Sequence, residues 1–145
     1  MCFYTCLMFD HCLYFNTTAL ARLVEREWTL AYKSFDLTPP QGFVLRAVLN
    51  KPGLLNRELA ELLGIARPTA TRLLDNLDAK KLIERRPSEG DGREWNIFPT
   101  EAARALKVPI NKASAEVAKR LREQIGEARF DEVVGSMRQI RNTLA

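Results

Sequence analysis

The sequence predicts a mainly α-helical fold carrying one small β-hairpin, and three observations predict it. Apolar residues recur at helical spacing over both ends of the chain, from Leu20 to Phe35 and from Leu106 to Leu144. Two shorter helical stretches meet across the tight Gly64-Ile65-Ala66 connection. Two strand-like runs, Leu82–Arg86 and Arg93–Phe98, flank the turn-forming Ser88-Glu89-Gly90-Asp91-Gly92.

In the first helix Leu20, Leu23, Val24, Ala31 and Phe35 form the apolar stripe, with Arg22, Glu25, Arg26 and Lys33 between them; the helix starts before Asn16. Thr38 is suited to cap a second helix over Pro39–Asn50, because proline at a first helical position sacrifices no hydrogen bond. Lys51-Pro52-Gly53 ends it. Asn56 is the expected cap of a short helix carrying Leu59, Leu62 and Leu63, which Gly64 closes. Pro68 then opens a helix from about Arg67 to Lys80 with Ala70, Leu73, Leu74 and Leu77 as its buried stripe. Trp95 on the hairpin reads as a packing residue beneath it. Thr100 starts another helix, assisted by Glu101 at the positive helix end, although Ala103 stands where a reciprocal capping box needs Glu or Gln. Leu106, Ile110, Val117, Leu121 and Ile125 form one stripe, which Pro109 is expected to bend, and Gly126 separates it from the Phe130-to-Leu144 stripe.

The 145 residues fit one domain plus oligomerisation elements, and 46% hydrophobic with 28% charged residues is a composition that folds. The net charge of +4 suits a polyanionic partner without demanding one. No apolar run reaches the roughly 18 residues of a membrane span, so no membrane association is expected. The leading segment lacks a basic start and a small-residue cleavage site, which points to a cytoplasmic protein. Three cysteines within the first twelve positions form no paired framework and read as reduced thiols.

Taken in order, these elements make a winged helix-turn-helix flanked by terminal helices. Such a unit lays its second helix in the DNA major groove, where N-terminal side chains reach base edges. The candidate readers are Arg67, Thr69, Thr71, Arg72 and Asn76: arginine for guanine, threonine for a thymine methyl or phosphate, asparagine for base or backbone. The same residues also suit the solvated face of an ordinary helix. The hairpin favours the DNA reading, because Arg85, Arg86 and Arg93 flank a tip able to reach a minor groove or phosphates. Asp91 either holds the Arg93 guanidinium in one direction or merely forms the turn.

Residues 37–106 resemble the MarR family of bacterial winged-helix regulators. The resemblance is carried by Leu59-Ala60-Glu61-Leu62-Leu63-Gly64-Ile65, by Arg67-Pro68-Thr69-Ala70-Thr71-Arg72-Leu73-Leu74-Asp75-Asn76-Leu77, by Lys81-Leu82-Ile83-Glu84-Arg85, and by Asp91-Gly92-Arg93 followed by Pro99-Thr100-Glu101. It implies a homodimer assembled from the first and last helices, with Arg93 near a minor groove. It also implies a small-molecule or oxidant input between the dimer and DNA-binding parts. The sequence departs from the family pattern at Lys81 and Ala103, where glycine is common; Lys81 must then tolerate a left-handed backbone or avoid it. The expected division is residues 1–36 for dimerisation and possible sensing, 37–100 for DNA binding, and 101–145 for dimerisation. The long C-terminal apolar stripe wants a partner, though packing on the first helix would also cover it. A dimer presents two recognition helices about one DNA turn apart, hence a pseudo-palindromic operator.

Cys2 and Cys6 share one face if their segment is helical, but the spacing is not a zinc signature and no metal or cofactor is expected. Cys12, beside His11, is the candidate redox sensor. Tyr14, Trp28, Tyr32 and Phe43, with Phe15 and Phe35, offer either a pocket for an aromatic effector or ordinary core. No catalytic set surrounds His11, so the protein is not expected to be an enzyme. The function that follows is a homodimeric, sequence-specific transcriptional regulator, read as a repressor, released by a ligand or by thiol oxidation. The alternative is a winged-helix protein-interaction module that does not bind DNA.

Overall fold

The computed structural model describes residues 8–90 and 92–145; Cys2, Cys6 and Asp91 lie outside them. Helix α1 covers Leu13–Tyr32 and runs into a one-turn 3-10 segment, Lys33–Phe35. Helix α2 follows over Pro39–Asn50, then strand β1 at Leu54–Leu55, helix α3 at Asn56–Leu63 and helix α4 at Arg67–Ala79. Strands β2 (Ile83–Pro87) and β3 (Trp95–Pro99) form the hairpin, and helices α5 (Glu101–Ile125) and α6 (Glu127–Leu144) complete the chain. The fold is mainly helical with a small antiparallel sheet, a winged helix-turn-helix between terminal helices.

Helix α2 is the hub, because it begins firmly and buries half its length. Thr38 Oγ1 accepts from the Gln41 N–H while the Gln41 side chain accepts from the Thr38 N–H, a complete capping box. Gln41, Gly42, Val44, Leu45, Val48 and Leu49 are buried against α1, α4, α5 and β3. Around them gather Tyr32, Leu59, Leu74, Leu77, Ile83, Ile97 and Ile110, each almost wholly removed from water. At about 1.5–3 kcal/mol per large apolar side chain, this cluster is the main source of stability. Gly42 is required by packing: a Cβ there would penetrate the Tyr32 ring. Tyr32 is itself held by its hydroxyl, which is hydrogen-bonded to Ser114 of α5 and accepts from Arg46 at 3.4 Å.

Three chain reversals share one construction. After α3, Gly64 takes a left-handed backbone (φ 63°), its N–H bonds the Glu61 carbonyl, and the Ile65 N–H bonds that of Ala60. After α4, Lys81 does the same (φ 59°), with bonds from its own N–H to Asp78 and from Leu82 to Leu77. Asp36 repeats the pattern after the 3-10 turn, and Lys80 Nζ bonds both its carbonyl (2.5 Å) and its carboxylate (2.8 Å). The Lys80 hydrogen bond and charge hold the Asp36 carboxyl below its ordinary range. Lys81 therefore tolerates the left-handed conformation that glycine would adopt freely.

The sheet has the order β1-β3-β2, with Leu54 opposite Ile97 and Arg85 opposite Ile97 from the other side. Strand β1 was not expected from the sequence. Asn56 is not the α3 cap; Leu55 occupies that place, with its N–H bonded by the Glu58 carboxylate at 3.0 Å. Helix α5 is continuous through Pro109. Its start is capped by Thr100 Oγ1, which accepts from the Ala103 N–H and donates to the Lys81 carbonyl. Ala103 is fully buried, which explains why no long polar residue stands there. Gly126 separates α5 from α6 as expected.

Candidate nucleic-acid interface

The surface that could meet DNA is built by α3, α4 and the hairpin. Burial of Ala70, Leu73, Leu74 and Leu77 turns the opposite face of α4 outward, leaving Arg67, Thr71, Arg72 and Asn76 exposed and Thr69 half-buried. Its N-cap, Ala66, has no side chain to answer the first N–H groups, so the helix begins with open donors and a positive dipole end. Among the described residues neither Arg67 nor Arg72 has an ion pair or side-chain hydrogen bond. Exposed, unpaired guanidiniums beside an uncapped helix start are suited to phosphates and guanine edges.

Between α4 and the hairpin lies a cleft of about 670 Å³ lined by Asn56 and Arg57 of α3, Arg67, Thr71 and Asp78 of α4, Arg85 of β2, and Arg93, Glu94 and Trp95 of the wing. The structure thus brings together Arg67, Thr71, Arg85 and Arg93 and adds Arg57, which the sequence reading missed. Arg57 pairs with Glu94 at 3.0 Å, tying the first helix of the pair to the wing. Trp95 lines this cleft half-exposed rather than packing beneath the hairpin.

Two wing arginines are committed elsewhere. Arg85 pairs with Asp75 at 2.6 Å and reaches Asp78 at 3.9 Å, so it is a strut from β2 to α4. Period-two alternation explains this: Arg85 shares a strand face with buried Ile83, which packs inward. Arg86 lies 4.2 Å over the Phe98 ring and pairs with Glu84 at 3.3 Å. The Thr71 hydroxyl is also occupied, donating to the Arg67 carbonyl at 3.0 Å and accepting from Asn56 Nδ2 at 2.7 Å.

The residues of the expected aromatic pocket divide. Trp28 and Phe43 stand 6.1 Å apart and line an apolar cleft of about 610 Å³ with Ala21, Val24, Glu25, Pro39, Pro40, Leu63 and Ile65. Tyr32 is wholly buried core, and Tyr14 is exposed near the start of α1, outside the cleft. Phe15 stacks with Phe9 at 5.5 Å, and Phe35 meets Tyr32. Cys12 is exposed as the residue before α1. Among the described residues no group of metal-ligating side chains gathers, and no helix is long and apolar enough to cross a membrane.

A recognition helix with a polar outer face, braced by a partner helix and a basic wing, defines a winged helix-turn-helix of the DNA-binding kind. A profile of the MarR family matches residues 35–94. The HTH-type transcriptional regulator SarZ of Staphylococcus aureus (strain MRSA252) is 30% identical over 115 residues, 79% of this chain and 76% of its own. The uncharacterized HTH-type transcriptional regulator YybA of Bacillus subtilis (strain 168) is 29% identical over 60% of this chain, a match spanning 58% of YybA's length. Among solved structures, the transcriptional repressor CouR bound to a 23-mer DNA duplex superposes with a TM-score of 0.81 at 27% identity, over 90% of this chain and 92% of that one. The chain belongs to the MarR family of transcriptional regulators.

Proposed function

We propose that the protein is a homodimeric repressor that binds a pseudo-palindromic operator. Arg67, Thr69, Thr71, Arg72 and Asn76 of α4 would enter the major groove, with Arg93 at the adjacent minor groove. The observation that carries this reading is that Arg67 and Arg72, on the exposed face of a helix with an uncapped N-terminus, have no side-chain partner among the described residues. Homodimerisation is supported by α6, an 18-residue helix none of whose residues is buried, with Val133, Val134, Met137, Ile140 and Leu144 exposed. An apolar helix face of that length is not stable in water by itself. Residues 1–36 and 101–145 would then be the dimerisation parts around a DNA-binding core of residues 37–100.

The signal that releases DNA is read as a small ligand rather than thiol oxidation. The apolar cleft adjoins the helix-turn-helix through Leu63 and Ile65, and the Trp28 and Phe43 rings line it. A bound aromatic molecule would pack against these rings, and Glu25 at the cleft disfavours anions.

Anisotropy titrations of duplexes selected from a randomised pool test the DNA reading. With 6–10 phosphate contacts, affinity falls roughly 10³–10⁵-fold between 50 and 200 mM salt. Arg72→Ala is expected to weaken the selected duplex more than an unrelated one, by about 1–3 kcal/mol, whereas Arg93→Ala weakens both alike. No affinity for any duplex at low salt would favour a protein-interaction module instead.

A further inference from the structure

Asn56 does a different job from the one its position suggests. It stands in the first turn of α3, yet the N-cap is Leu55, whose N–H is already answered by Glu58 at 3.0 Å. Its amide crosses to the recognition helix instead: Nδ2 donates to Thr71 Oγ1 at 2.7 Å, and the Thr71 hydroxyl donates to the Arg67 carbonyl at 3.0 Å. Asn56 Oδ1 is buried and has no partner. A carbonyl left unanswered makes the amide a poor choice for stability alone, and such departures from full polar satisfaction gather at functional positions.

The relay decides what Thr71 can offer. A threonine carries a hydroxyl and a methyl on one Cβ, and in a helix its torsion divides between two positions because Oγ1 can bond a carbonyl of the preceding turn; the bond from Asn56 selects one of them. Because Asn56 donates to Oγ1, the single hydroxyl proton must point elsewhere, and it points to the Arg67 carbonyl. Thr71 therefore has no proton to give to phosphate, to guanine or to a thymine carbonyl. What Thr71 has left for the groove is its methyl and one Oγ1 lone pair, and among bases only thymine presents a methyl there.

We propose that Asn56 is a positioning residue that sets specificity: by holding the Thr71 hydroxyl against the protein, it makes Thr71 a reader of a thymine methyl at one base step. This rests on α4 entering the major groove.

The experiment uses the full chain and a duplex that it selects from a randomised pool. Each thymine is replaced in turn by deoxyuridine, which removes only the methyl. Loss of one buried methyl group predicts about a 4-fold loss of affinity at one thymine of each half-site. Thr71→Ser keeps the hydroxyl relay and removes the methyl, so it is expected to bind the thymine and deoxyuridine duplexes equally at that step. Asn56→Ala lets the Thr71 side chain turn, so its discrimination between the thymine and deoxyuridine duplexes there is expected to fall below about 2-fold. A merely structural Asn56 would weaken both duplexes alike and keep their ratio, which overturns the inference. Should Asn56→Ala melt too early to assay, Thr71→Ser decides: methyl discrimination equal to the wild type overturns it. A pool that yields no preferred duplex overturns the DNA reading as well, whereas a selected duplex indifferent to every deoxyuridine overturns this inference alone.

Discussion

The recognition helix and the C-terminal helix are both amphipathic, yet the chain treats them in opposite ways. Four of the thirteen residues of α4 are buried, and the helix packs against α2, α3 and β2, so its apolar stripe is used within one copy. Helix α6 packs against α5 and buries none of its eighteen residues. The lesson is that one region is a finished core and the other an unfinished one, and the two should respond differently to damage. Removing a core side chain should cost stability at any protein concentration, whereas damage to α6 should show as lost association.

The largest effect should come from breaking α6. Val134→Asp with Met137→Asp is expected to convert a dimer to monomers in sedimentation and to weaken a two-half-site duplex about 10²–10⁴-fold, since the half-sites would no longer be linked. Its melting temperature should be independent of protein concentration, whereas that of a dimeric wild type is expected to rise with it. Leu45→Ala in α2 is the contrasting case. It should cost about 2–5 kcal/mol in denaturant melts without altering the oligomer. A wild-type chain that sediments as a monomer would erase the distinction.

A second, smaller disturbance tests the joint between the regions. Gly42→Ala forces α2 away from the Tyr32 ring, and Tyr32 links α1 to α5 through Ser114. The overpacking is expected to cost about 1–3 kcal/mol in urea melts. A stability equal to the wild type would mean that Tyr32 relocates freely, contrary to its complete burial.

The comparison also explains what the sequence made legible. Local signals were readable: Thr38 with Pro39 starts α2, Gly64 ends α3, Gly126 parts α5 from α6, and the stripe of α4 follows its spacing. Features made by distant partners were not. Strand β1 is two residues long, and Leu54 finds its partner in Ile97, far along the chain. Arg85 looked like a phosphate ligand, although its alternation with Ile83 already assigned it to the inward face, where Asp75 and Asp78 wait. Arg57 carried no signal of its own; its pairing with Glu94 exists only once the wing folds back. Tyr14 and Tyr32 were grouped with Trp28 and Phe43 by residue type, but helix geometry sends one to solvent and the other to the core.

Within the finished core, Lys81 is a local imperfection and offers a gain. An L-residue in the left-handed region is disfavoured by about 1–2 kcal/mol, and glycine is not. Lys81 makes the same two reversal bonds as Gly64 and carries φ 59°. Lys81→Gly is expected to stabilise by roughly 1 kcal/mol, the left-handed relief being partly offset by the freer unfolded chain. A loss of stability would show that the lysine side chain makes a compensating interaction.

The smallest effect tests a tie between the two ends of the core. Asp36 bonds Lys80, and that contact lowers its pKa below the ordinary 3.8. A depressed carboxylate pKa contributes stability above the unfolded value and loses it as pH falls through the folded one. Asp36→Asn keeps a residue that accepts the left-handed backbone but removes the charge. Its melting temperature should lie slightly below the wild type at neutral pH, and the gap should close on acidification below pH 3.8 as the wild-type carboxyl protonates. The exposed position and surface screening keep this gap small, and added salt should narrow it further. A gap that persists in acid would assign the Asp36 contribution to the turn geometry it shares with Gly64 and Lys81, not to its pairing with Lys80.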